Sequence, residues 1–331
     1  MKSMKKVISI LSFIVIANSN LSWGQDYHFS QFDALPVRLN PGLTGMFKGY
    51  NYKSGAMYRN QWRALSVKPF STFSLSYEMP IQDRWGVGGY ITNYDGAKIY
   101  NEFNLVLSGA YRITDPRQDV HQLSVGLQAG FINTNINDQE LTFNNQYSNG
   151  GFDSDLSSNE AFERFSKFMP EFNIGIYYKY AESKTFKPYG GFAISHITSP
   201  KNEFIETTED KTRLPRKFLL HAGLIYKIDR DFTLDIKTRE MWQGKASEYY
   251  FGAELSYLAD RKTKTYVKPS FYYRVKDAVV VGLGVEYKNI TLTTSYDITT
   301  SSLKEYNNKR GALEFSLRFT PRLINIEDYL K

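Results

Sequence analysis

The sequence predicts an all-β protein: a transmembrane, antiparallel, up-and-down β-barrel of about 14 strands, with an N-terminal segment at the periplasmic mouth or plugging the lumen. Three observations predict it. Aromatic residues make up 16% of the 331 residues (25 Tyr, 23 Phe, 4 Trp), more than a globular core needs and in keeping with the girdles that barrels place at both membrane interfaces. Apolar residues recur with a period of two over segments of roughly 10 to 13 residues, long enough to cross a bilayer at a tilt, whereas soluble strands cluster near about 5 to 6. The connections between these segments alternate between tight and long. A mean hydropathy of -0.43 would exclude a helical membrane protein, but a barrel turns half of each strand to a polar lumen.

The first element is a leader. Lys2, Lys5 and Lys6 precede the apolar run from Val7 to Ala17, and the small residues Ser22 and Gly24 follow, the layout of a secretory signal peptide. Cleavage is expected between Gly24 and Gln25, so that residues 1–24 are removed. The apolar run is too short for a membrane anchor, which needs about 20 residues. Losing three lysines lowers the formal charge from +7 to +4, a mild excess that argues for no nucleic-acid partner. The chain has no cysteine, so neither disulfides nor lipid attachment to Cys contributes, and stability must come from backbone pairing and burial.

Residues 25–48 lack strand alternation, and Pro36 and Pro41 interrupt them. Tyr27, Phe29, Phe32 and Phe47 favour burial of this segment in the lumen or at its periplasmic mouth over a disordered leader.

The barrel is expected over residues 49–320. Phe103, Leu105, Leu107, Gly109, Tyr111 and Ile113 point one way, and Asn104, Ser108 and Arg112 the other. The pattern returns at Leu123 to Phe131, Phe218 to Ile228, Val279 to Tyr287, and Leu313 to Phe319, where Glu314, Ser316 and Arg318 form the polar face. Strands are expected to start near Tyr50, Phe70, Arg84, Ile99, Val120, Phe168, Phe186, Leu214, Asp231, Ser247, Thr263, Ala278, Asn289 and Gly311. Tight turns are expected at 80–83, 114–119, 181–185, 229–230, 259–262 and 288–289, and long loops at 135–167, 199–213 and 299–310. With a periplasmic N-terminus, all three long loops fall outside, as barrels require. Residues 321–331 form a periplasmic tail behind Phe319.

Several stretches carry a family resemblance. Asp26-Tyr27-His28-Phe29-Ser30-Gln31-Phe32, then Leu39-Asn40-Pro41-Gly42-Leu43-Thr44-Gly45 and Tyr58-Arg59-Asn60-Gln61-Trp62, resemble the opening of the PorP/SprF family of type IX secretion system outer-membrane proteins from Bacteroidetes. Leu123 to Gly130, Phe172 to Tyr178 and Ser295 to Thr300 agree in order. The resemblance implies an outer-membrane, non-catalytic role: helping to export a large secreted adhesin or gliding-type protein, anchoring it at the surface, or both. The implied partners are that protein, other type IX components and outer-membrane lipid. The tail after Phe319 departs from a barrel that stops at a terminal aromatic.

A search for chemistry agrees with that role. His28, His121, His196 and His221 have no metal-site spacing, and without Cys the usual zinc sets are absent. Gly282-Leu283-Gly284 is half a dinucleotide fingerprint and reads as glycines on a crowded inner strand face. No Ser lies in a Gly-x-Ser-x-Gly turn. No catalytic residue, cofactor or metal is therefore expected. The loop 135–167 has too many apolar residues for a purely solvated excursion, and Phe143, Tyr147, Phe152, Phe162 and Phe165 are the candidate partner contacts. Its Asp138, Glu140, Asp153 and Asp155 lack EF-hand spacing for calcium. The alternative function is a FadL-like or porin-like channel for small or hydrophobic solutes, which needs an open or gated lumen.

Overall fold

In the computed structural model, residues 26–63, 68–118, 120–137, 141–148, 151–153, 155–157, 165–202 and 213–321 are described. Gly24, Gln25 and Phe162, together with most of the C-terminal tail, lie outside the described residues. No described helix is long and apolar enough to cross a membrane; the crossing is made by strands. They are β1 (Lys53–Gln61), β2 (Phe70–Ile81), β3 (Trp85–Gly96), β4 (Tyr100–Arg112), β5 (His121–Ile136), the short pair β6 (Tyr147–Ser148) and β7 (Gly151–Phe152), then β8 (Ser166–Tyr180), β9 (Phe186–Ser195), β10 (Lys217–Lys227), β11 (Phe232–Gln243), β12 (Ala246–Asp260), β13 (Thr265–Arg274), β14 (Ala278–Tyr287), β15 (Ile290–Thr299) and β16 (Arg310–Phe319). All but β6 and β7 form one closed antiparallel barrel, each pairing with its chain neighbour, and β1 pairs with β16 to seal it. Closure matters physically, since it leaves no unpaired strand edge in hydrocarbon.

The expected alternation fixes which face is which. On β16, Leu313, Phe315, Leu317 and Phe319 are exposed, while Ala312, Glu314 and Ser316 are buried in the lumen. The outward aromatics form two girdles. Tyr77, Trp85, Tyr111 and Phe319 ring the end that carries the tight turns, with Trp85 and Tyr111 centroids 4.7 Å apart. Phe103, Phe131 and Phe168 ring the other end, with Phe131 and Phe168 stacked at 4.9 Å. Between them the outward face is apolar, with aliphatic residues such as Leu75, Leu107 and Leu127 beside rings such as Tyr58, Phe172 and Phe315.

The long connections, 137–165, 196–216 and 300–309, all leave from one end, here called the loop end; the other is the turn end. Three loop-end connections are also tight, at 97–99, 244–245 and 275–277, so only part of that rim is built up. Strand ends differ from expectation by a few residues. β12 runs on to Asp260 through a bulge between Leu258 and Asp260, which moves the turn expected at 259–262 to 261–264. Strand β1 begins at Lys53 because Gly49 bends the preceding chain in the left-handed region (φ 83°).

Two short helical turns lie outside the strands' pattern: α1 (Pro36–Leu39) with a following 3₁₀ turn at Pro41–Leu43, and α2 (Lys304–Asn307) in a loop-end connection. Pro36 and Pro41 stand at the first position of their turns, where the missing N–H costs nothing. Those first two turns belong to a segment that fills the lumen.

Candidate functional site

The lumen is occupied by the chain's own residues 26–48, which run from the loop end to the turn end. At the loop end Asp26 is tied on every side. Its amide N donates to Gln243 Oε1 (2.9 Å), Gln243 Nε2 donates back to Oδ1 (2.7 Å), and Oδ2 accepts from His196 Nε2 (2.8 Å) and Lys217 Nζ (2.5 Å). Gln243 ends β11, while His196 and Lys217 are the two roots of the loop 196–216. His196 holds a second carboxylate through Nδ1, Glu171 Oε2 at 2.8 Å, so both ring nitrogens donate and the ring is an imidazolium. Burial alone would pull the His196 pKa down, but the adjoining Asp26 and Glu171 carboxylates raise it to about 9. Burial likewise works against Asp26 ionisation, yet Lys217 and His196 hold its carboxyl well below the usual range.

One turn further in, an ionic cluster grips Ser30 and Gln31. Their amides donate to the two oxygens of Glu314 (2.9 and 2.7 Å), and Ser30 Oγ donates to Asp297 (2.8 Å). Arg59 bridges Asp297 (2.9 Å) and Glu314 (3.0 Å), and Arg274 adds a second contact to Asp297 (2.9 Å). Tyr250 donates its hydroxyl to Ser30 O at 2.9 Å. All these wall side chains are almost fully buried, where a carboxylate or guanidinium without a partner would be very costly. Arg239 pairs with Glu248 beside His28. Below the cluster, Phe32 meets Tyr250 edge-on (5.5 Å) in an apolar group with Leu39, Leu219, Tyr272 and Val280.

The lower half of the plug is fitted by glycine. A Cβ on Gly126 would stand 2.2 Å from Pro41 O, one on Gly175 2.1 Å from Asn40 Oδ1, one on Gly191 2.5 Å from Asn40 Nδ2, and one on Gly86 2.0 Å from Thr44 O. These four face inward on β5, β8, β9 and β3 and make a groove in the wall for the plug backbone. Asn40 locks into it, donating to Ile176 O (2.9 Å) and accepting from Gly42 N (2.8 Å). Ser124 Oγ donates to Gly42 O (2.6 Å), Gly45 N to Glu78 Oε2 (2.8 Å), and Lys48 Nζ to Pro116 O in the turn before β5 (3.1 Å). The voids that remain include pockets of about 60 Å³ beside Asp26, 150 Å³ beside Leu35 and 310 Å³ beneath Phe47; the plug separates the first from the last.

The candidate contacts of the long loop are only partly gathered. β6 and β7 form a small hairpin that brings Tyr147 and Phe152 together, centroids 5.7 Å apart, both exposed (56% and 46%). Gln146 braces it, accepting from Phe143 N (3.1 Å) and donating to Leu156 O (3.2 Å). Phe143 is half-buried under the hairpin, and Phe165 lies at the root of β8, where its carbonyl accepts from Ile136 N (2.9 Å). The hairpin stands on β5 and β8, which at 16 and 15 residues are among the longest strands of the wall.

The lumen residues were missed by sequence reasoning, although one signal could have found them. Arg59, Asp297 and Glu314 are charges flanked by Tyr58, Tyr296 with Ile298, and Leu313 with Phe315, so the alternation already sent them inward, where only a partner makes a charge tolerable. Among the described residues no cluster of three or more His, Asp or Glu is arranged to hold a metal ion; Asp26, Glu171, Asp297 and Glu314 are instead paired with Lys217, His196, Arg59 and Arg274.

The family model for type IX secretion system membrane protein PorP/SprF matches residues 22–319, nearly the whole barrel and plug. The chain belongs to the PorP/SprF family. It is thus a type IX secretion system barrel of the outer membrane. No curated protein sequence is significantly similar to this PorP/SprF member. Among solved structures, the toluene transporter TodX of Pseudomonas putida is similar over 90% of this chain and 95% of its own, at 9% identity and a TM-score of 0.52. The CymD monoaromatic hydrocarbon channel is similar over 92% and 95%, at 9% identity and a TM-score of 0.51. At such identities the PorP/SprF chain shares their fold alone.

Proposed function

We propose that this barrel is a sealed, non-catalytic outer-membrane platform of the type IX system that helps to export a large secreted adhesin or gliding-type protein, holds it at the surface, or both. The observation that carries this reading is the plug. A lumen filled from end to end by residues 26–48, on a wall cut back to glycine where the backbone passes, suits a scaffold better than a conduit. Orientation follows the barrel rule that long loops face outward, which turns the loop end to the cell exterior. There the Tyr147 and Phe152 hairpin offers exposed aromatic surface of the kind that anchors protein contacts. Phe143, Phe162 and Phe165 are proposed as further partner contacts, and other type IX components are the remaining partners. His196 with Asp26 and Glu171, and Asp297 with Arg59, are ion-paired, which supports a structural use of these groups.

Deleting residues 144–159 tests the reading, because the hairpin shares no ladder with the barrel. The barrel is expected to assemble with its heat-resistant electrophoretic mobility intact, while the partner is lost from the cell surface. Unchanged partner retention would remove the hairpin from the docking surface.

A further inference from the structure

The direction of the plug is unusual in its consequence. Strand β1 starts at the turn end and residues 46–48 lie there, with Met46 O bound to Gln122 and Lys48 to Pro116. Going backwards along the sequence the chain climbs: Asn40 at the middle of β8 and β9, Ser30 beside Arg59, Asp297 and Glu314 in the loop-end half of their strands, and Asp26 at the loop-end rim. Tyr27 stacks on Tyr94 (4.9 Å) at the same level, two residues before the loop-end terminus of β3. Asp26 is fastened by its backbone as well as its side chain, and both roots of the 196–216 loop hold it. Whatever precedes Asp26 in the mature chain therefore leaves from the loop end.

We infer that the chain enters the lumen from the extracellular mouth, with Asp26 held there by His196 and Lys217, although the first strand starts from the periplasm. The inference rests on the orientation proposed above. The chain crosses the membrane level once more than its strands do, through the inside of its own barrel.

The absence of native cysteine makes this testable by single-cysteine labelling in intact cells with a membrane-impermeant maleimide. Three chains are compared: a Gly-Ser-Cys-Gly-Ser insert between Gln25 and Asp26; Tyr306→Cys, a loop-end side chain 75% exposed; and Asp83→Cys in the turn between β2 and β3. The expected result is labelling of the insert and of Tyr306→Cys in intact cells, with Asp83→Cys labelled only after the outer membrane is permeabilised. An insert labelled only after permeabilisation, with Tyr306→Cys still labelled in intact cells, overturns the inference and leaves the orientation standing. The reverse behaviour of the two reporters overturns the orientation itself.

Discussion

Gly126 and Gly109 belong to neighbouring strands and face opposite ways, and that difference sets what an added methyl does. Inside, a Cβ on Gly126 runs into the Pro41 carbonyl at 2.2 Å, a backbone atom that yields only if the plug moves; outside, a Cβ on Gly109 meets nothing within 4 Å. Gly126→Ala is expected to destabilise the folded barrel by about 1–3 kcal/mol, the usual cost of overpacking, and Gly109→Ala by less than about 0.5 kcal/mol. Urea unfolding in lipid vesicles reads both, and equal midpoints would mean that the plug does not depend on this groove. Asp297 is the opposite kind of residue, one whose removal hurts. Asp297→Ala leaves the Arg59 and Arg274 guanidiniums buried with a main counter-charge gone, at a cost of about 3–5 kcal/mol. If the cluster acts on the plug, Ser30→Ala is already coupled to it, and the double variant is expected to fall short of the sum of the two single losses by at least about 0.5 kcal/mol. Strict additivity would show that Ser30 merely sits near the cluster.

Among the elements, strands were legible in the sequence and the contacts of the N-terminal segment were not. Leu313, Phe315, Leu317 and Phe319 turn outward as their spacing implied, and the strand set, its order and the long loops follow from such runs because lipid imposes one simple rule on the outer face. The lumen imposes no such rule. Asn40 is recognisable as important only once Gly175, Gly191 and Ile176 are beside it, and these come from strands more than 130 residues away. Nor does the sequence near Asp26 announce its partners His196, Lys217 and Gln243, which are brought to one rim by barrel closure. That clamp gives the plug a pH dependence. His196 is raised from 6.5 to about 9 by its carboxylates, so its contribution is fully present below about pH 6.5 and is lost as pH rises through about 9. Asp26 is lowered, so its contribution is present above its ordinary value of 3.8 and is lost as pH falls below it. The clamp is then tightest in mildly acidic medium. Amide exchange of residues 26–30 is expected to quicken between pH 7 and about 10 beyond its intrinsic base catalysis, and His196→Gln to abolish that excess; an excess unchanged in His196→Gln would assign it elsewhere.

For the whole molecule, the question is whether the barrel is a wall or a passage. Its outer form is shared with TodX and CymD, and a wall of fourteen strands is wide enough that an empty lumen would hold water. What differs in consequence is the fastening of the filling. The upper plug is held by charged groups that hydration would solvate well if they parted, whereas the lower plug is held by shape, with backbone against glycine from Asn40 to Gly45. Sliding the segment out would strip the wall's Glu78, Asp297 and Glu314 of the hydrogen bonds they accept from Gly45, Ser30 and Gln31, along with the groove's packing, so a small solute has too little binding energy to drive it. The intact protein is therefore expected to be silent in planar bilayers, and a chain lacking residues 26–45 to insert as an open pore with steady ionic conductance. The pairing of β1 with β16 needs none of the deleted residues, so the shortened barrel retains a closed ladder from which conduction can be measured. Open-pore conductance from the intact chain would return the solute-channel alternative to first place, and silence from both would place the seal in the loops instead of the plug.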